Sequence, residues 1–206
     1  SSIGLNSNSN ITIGAGSNAA QFDGKVVFRP TEQGSDSYIR VKDDLNGTVA
    51  NTNDAAWSST APSAQANLKF GANSEITVKN STSGTAGIYA PNAELGGKVT
   101  IGSGGTLRLD GDFIYDNDTA ANAQHGKGNF TTTANTNINI VSGGKLVVGN
   151  GSYANAPDYD PNNAVYQGET TVDLSKGHIT GTGTLEVQGT AILTDSVLDD
   201  FVQADV

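Results

Sequence analysis

The chain has 206 residues, a net charge of −10, 16% charged residues and 6% aromatic residues. That is enough length for one elongated domain, and the acidic balance argues against nucleic acid or an anionic lipid surface as partner. With 26 glycines, no cysteine and no methionine, disulfide and Cys-metal chemistry are excluded, and the small polar and β-branched residues favour strands and turns over helices.

In chain order, Ile3, Leu5, Ile11 and Ile13 flank Ser7-Asn8-Ser9, which reads as a strand, a corner and a second strand. Residues 22–30 and 37–42 read as two further strands with Val26, Phe28, Ile39 and Val41 inward, and Pro30 closes the first of them. Residues 43–66 are polar and poor in apolar residues, so they read as a loop leaving the body, with Trp57 in it. Leu68, Phe70, Ile76 and Val78 repeat the opening pattern around Ala72-Asn73-Ser74, and Ile88 and Tyr89 extend it.

The clearest copies follow. Val99, Ile101, Leu107 and Leu109 surround Ser103-Gly104-Gly105, and Ile138, Ile140, Leu146 and Val148 surround Ser142-Gly143-Gly144. Period-2 alternation puts each apolar pair on one face, and glycine supplies the corner. Between them, residues 112–135 form a second expected excursion, holding Tyr115, Asp116, Asp118 and His125; residues 150–169 form a third. Thr170–Leu174, His178–Thr180, Thr184–Val187 and Ala191–Leu193 read as the last strands, and Ile179, Leu185 and Val187 keep the template spacing. Val197, Leu198, Phe201 and Val202 would share one face of a short C-terminal helix that would act as a cap.

Repeated strand–corner–strand units predict rungs stacked on a common core. The expected fold is therefore all-β: a single-domain β-solenoid over residues 1–206, with loop excursions near 43–66, 112–135 and 150–169. The alternative is a β-sandwich, whose strands also alternate but which does not need the same corner again and again.

Candidate chemistry concentrates in the third excursion. Asp158, Asp160, Asn162 and Glu169 occupy positions 1, 3, 5 and 12 of a calcium-loop template, with apolar Val165 at position 8. Hard oxygen donors at these spacings can wrap one Ca²⁺. Asn163 stands where the template wants glycine and no flanking helices are expected, so the competing reading is a solvated Asp/Asn/Pro turn. The two histidines, His125 and His178, are far apart and lack neighbouring ligands, which argues against zinc. Arg108 with Asp110 and Asp112 is the nearest approach to a catalytic cluster, and a solvated outer strand face is the expectation there. No nucleophile elbow or phosphate loop occurs, and the chain is not expected to be an enzyme.

Strand pairs joined by Ser-Gly-Gly, as in Ile101–Leu107 and Ile140–Leu146, together with Ile179-Thr-Gly-Thr-Gly-Thr-Leu-Glu-Val187, resemble the passenger domains of bacterial autotransporters. The resemblance covers about half the chain in scattered patches. It implies a right-handed parallel β-helix at the bacterial cell surface or outside the cell, acting in adhesion or self-association. The start at Ser1 and the lack of methionine lead to the expectation of a processed or excised passenger fragment, or a stand-alone secreted relative. Expected partners are further copies meeting at the chain ends, and surface glycans or proteins; nucleic acid and membrane insertion are not expected. Two other functions stay open: a structural subunit of an extracellular filament or surface layer, and a glycan-active β-helix enzyme.

Overall fold

The structure, a computed structural model, describes residues 2–13, 20–32, 35–41, 67–80, 83–90, 92–111, 113–114, 124–125, 128–149, 165–166 and 170–194. Among the described residues there are strands and turns and no helix. The strands fall into six successive turns of a coil. The first holds β1 (Ser2–Asn6), β2 (Asn10–Ile13) and β3 (Ala20–Phe22); the second β4 (Lys25–Arg29), β5 (Asp36–Val41) and β6 (Asn67–Phe70). The third holds β7 (Glu75–Val78), β8 (Thr85–Tyr89) and β9 (Asn92–Leu95). The fourth holds β10 (Lys98–Ile101) and β11 (Thr106–Asp110), then two short strands, β12 (Phe113–Ile114) and β13 (Gln124–His125), and β14 (Asn129–Thr132). The fifth holds β15 (Asn137–Ile140) and β16 (Lys145–Val148), then the short β17 (Val165–Tyr166) and β18 (Thr171–Asp173). The sixth holds β19 (His178–Thr180), β20 (Thr184–Val187) and β21 (Thr190–Ile192).

The first strands of all six turns form one sheet (sheet A), the second strands another (sheet B) and the last strands a third (sheet C), six strands in each. Every neighbouring pair within these sheets is parallel. This is the expected β-solenoid, arranged as a parallel β-helix, and not a sandwich, in which consecutive strands would pair or face each other as two sheets.

Register is what holds it together. Because side chains alternate, one residue of slip would turn a whole apolar column outward. In sheet A, Val26, Ile76, Val99, Ile138 and Ile179 form one inward column, and Phe28, Val78, Ile101 and Ile140 the next. In sheet B, Ile39, Ile88, Leu109 and Val148 stack; in sheet C, Leu68, Ala93, Phe130 and Val172 stack. These residues, together with Phe70, Leu107 and Leu146, are essentially inaccessible to solvent. Burying each large one is worth about 1.5–3 kcal/mol, yet a lone rung covers only one side of its neighbour, so the stack is stable only as a stack. Phe22 and Phe70 add an aromatic step, with ring centroids 5.5 Å apart.

The Ser-Gly-Gly corners turn as expected from sheet A into sheet B. Gly104 and Gly143 have φ of 81° and 85°, a conformation a side chain would strain, and the Gly104 amide donates to the Gly143 carbonyl at 2.9 Å, tying one corner to the next. In the first turn Asn8 takes the same role with φ of 61°, which asparagine tolerates.

Two details differ from the sequence reading. The unit Leu68–Val78 is a strand–corner–strand element, but it joins sheet C to sheet A. Ile76 therefore stacks on Val99 while Leu68 stacks on Ala93. Four-residue corners occur at both edges, so spacing alone does not tell one from the other. The stretch 112–135 also contains β14, a full member of sheet C, so the chain is back in the stack by Asn129.

Candidate functional surface at the corner between sheets B and C

The three long connections span the same edge of the coil. They run from β5 to β6, from β11 to β14 and from β16 to β18, each between a sheet B strand and a sheet C strand. The third and sixth turns round this edge tightly, from Tyr89 to Asn92 and from Val187 to Thr190. The fourth- and fifth-turn departures also pair with each other: β12 runs antiparallel to β13, which runs parallel to β17. Insertions on one side of a rigid scaffold are where such folds place variable, recognising segments.

The feet of the departures meet at a buried node. Asp110 ends β11 and is fully inaccessible, as is Thr170 just before β18. The Thr170 hydroxyl donates to Asp110 Oδ1 at 2.6 Å and accepts from the Gly111 and Gly128 amides, each at 3.2 Å. One donor and two acceptor sites are the full capacity of a hydroxyl. The Gly111 amide also donates to Asp110 Oδ1 at 2.8 Å. The node thus joins the start and end of the fourth-turn departure to the end of the fifth. The expected solvated face at Asp110 is corrected: its strand parity is outward, but the returning chain at Gly128 and Thr170 closes over it.

Beside the node, the outer face of sheet B carries an aromatic and ionic group. Arg40 pairs in register with Tyr89, and Tyr89 with Asp110; in the adjoining column Tyr38 pairs with Gly87, and Gly87 with Arg108. The Tyr89 ring lies across Gly87, where any Cβ would collide with it, and is tilted by 56° against the Tyr38 ring at 5.8 Å. Burial pushes the Tyr89 phenol far above the usual tyrosine range; the Arg108 charge opposes this, and Asp36, Asp110 and Tyr38 add to it. Burial likewise raises the Asp36 carboxyl, against the lowering effects of the Thr85 amide and the Arg108 charge. The group places Arg108, Asp36, Asp110 and Tyr38 within electrostatic reach of the Tyr89 phenol.

Sheet C presents the other side of the same edge. A groove of about 320 Å³ lies on its outer face across β6, β9 and β14, with Lys69, Asn92, Glu94, Asn129 and Thr131 around it. Lys69 Nζ and Glu94 sit 3.6 Å apart, both substantially exposed. The sequence reading gave none of these residues a binding role. Their signal was present in Asn67-Leu-Lys-Phe70, Asn92-Ala-Glu-Leu95 and Asn129-Phe-Thr-Thr132, which share an asparagine and an outward polar residue two positions on.

The proposed calcium ligands Asp158, Asp160, Asn162 and Glu169 lie outside the described residues, as do Trp57, Asp112, Tyr115 and the tail 195–206. Of His125 only the backbone, in β13, is described. His178 is exposed at the start of β19. Among the described residues, no group of three or more His, Cys, Asp or Glu side chains is placed to hold a metal ion. No family model matches the chain, and neither a curated protein nor a solved structure matches it.

Proposed function

We propose that the chain is a non-catalytic, surface-displayed or secreted β-solenoid that acts in adhesion or self-association. The observation that carries this reading is the contrast between inner and outer rungs. Ile3 is inward by register with Val26, and Val187 by register with Val148, yet they are 40% and 44% exposed while Val26 and Val148 are 1% and 0%. Ile11, Ile13 and Phe22 at one end, and Leu185 and Leu193 at the other, are only partly covered. A further rung would complete their burial and pair the outer strand edges, and a second copy of this chain carries rungs of matching shape. An autotransporter-like passenger at the cell surface is the setting that the glycine-cornered repeats suggest.

Assembly through the ends has a defined salt dependence. Two chains of charge −10 repel at low ionic strength, and screening over about 10 Å at 0.1 M relieves this. Light scattering across a salt and concentration series should show association rising with salt, and Ile3→Asp with Val187→Asp should abolish it. A chain that remains monomeric under every condition would remove self-association from the account.

A further inference from the structure

We infer that the outer groove of sheet C binds a neutral, hydroxyl-rich glycan chain laid along the solenoid axis. The inference deepens the adhesion reading and rests on it. Three features of the groove carry it. The first is direction. Asn92 pairs in register with Asn129, and Asn129 with Thr171; Lys69 pairs with Glu94, and Glu94 with Thr131. These are two parallel rows of outward polar side chains, stepped by one strand spacing of about 4.8 Å. Gln21 prolongs one row beyond Lys69, and Thr190 the other beyond Thr171. A ligand that follows the rows must itself repeat polar groups along a line.

The second is chemistry. Asparagine amides and the Thr131 hydroxyl are groups that both donate and accept, Glu94 accepts and Lys69 donates. Such a mixture matches hydroxyls, which donate and accept from the same oxygen. The Lys69–Glu94 pair leaves the groove locally neutral, and half of the Lys69 side chain is exposed. A pair so open to water is weak, so both ends can reorient toward a ligand. The chain's net charge of −10 disfavours polyanions.

The third is shape. The groove is open along the outer face, and its floor is the strand backbone at Leu68 and Ala93, whose side chains are buried inward.

Calorimetric titration of the full chain with cellohexaose, chitohexaose and a heparin hexasaccharide tests this. At least one neutral hexasaccharide should bind, with affinity unchanged by salt. Asn92→Ala with Asn129→Ala should weaken it at least about tenfold, or ~1.4 kcal/mol, while Thr100→Ala on the outer face of sheet A leaves it unaltered. Absence of binding by both neutral probes at millimolar concentration, binding of the heparin probe alone, or indifference to the double substitution would each overturn the inference. Light scattering on the same double variant keeps the two readings apart, because end-to-end association does not involve these residues.

Discussion

Thr170→Val is the sharpest probe of how the departures are anchored. The substitution keeps the branched shape and removes one hydroxyl, so the cost is polar and not a cavity. The lost hydroxyl bonded Asp110 Oδ1 at 2.6 Å and received the Gly111 and Gly128 amides at 3.2 Å. Gly111 keeps its 2.8 Å bond to Asp110, so it is not orphaned. Gly128 loses this acceptor, and the buried Asp110 side chain loses its 2.6 Å hydroxyl donor. A hydrogen bond to a charged group is worth about 1.5–3 kcal/mol, and a buried N–H left unpaired costs about 1–3 kcal/mol. The expected loss is therefore about 2.5–6 kcal/mol, large against the ~5–15 kcal/mol of a typical domain. Urea unfolding reads it as a lower midpoint at unchanged slope. Amide exchange should accelerate first at Gly128, because coils of this kind open locally. Thr170→Ser retains the hydroxyl and should recover most of the loss. If Val and Ser variants are equally stable, or Val lies within about 0.5 kcal/mol of the parent, the node does not anchor the departures.

Other consequences follow from burial and charge. Ile140→Ala removes a fully buried side chain stacked on Ile101 and should cost about 2–5 kcal/mol in chemical denaturation. Asp36 has its folded pKa raised by burial, so its contribution to stability is fully present below the ordinary carboxylate value and lost as pH rises through the folded one. Asp36→Asn should therefore be the more stable protein at neutral pH, by a margin that vanishes in thermal melts below about pH 4. Asp173 is the opposite case: the Ser175 hydroxyl and amide hold its carboxyl low, so Asp173→Asn should lose a little stability at neutral pH and none in acid.

The stack was legible because its rule is local. Val99, Ile101, Leu107 and Leu109, and their counterparts Ile138, Ile140, Leu146 and Val148, announce inward columns by alternation and a corner by Ser-Gly-Gly, and all eight are buried in the predicted register. Leu68–Val78 shows the limit of the rule. A period-2 strand and a four-residue turn look alike at any edge of the coil, so phase has to come from which strands stack. Without phase, the departures at 43–66, 112–135 and 150–169 could not be seen to share one edge. Sheet C was hardest to read since its inward positions include small Ala93 and polar Thr132, which blur the alternation. Thr132 is satisfied there by the Asp173 carbonyl at 2.9 Å. The node at Asp110 had no local signal, because Gly111, Gly128 and Thr170 come together only after two departures return.

The central proposal is that copies of the coil associate through their outer rungs. Electron microscopy and fibre diffraction of the purified chain at high salt test it directly. Six rungs at about 4.8 Å each predict filaments with a subunit rise of roughly 29 Å and a strong axial reflection near 4.8 Å, lost in the Ile3→Asp, Val187→Asp variant. Isolated particles at every concentration, or filaments that persist in that variant, would contradict it.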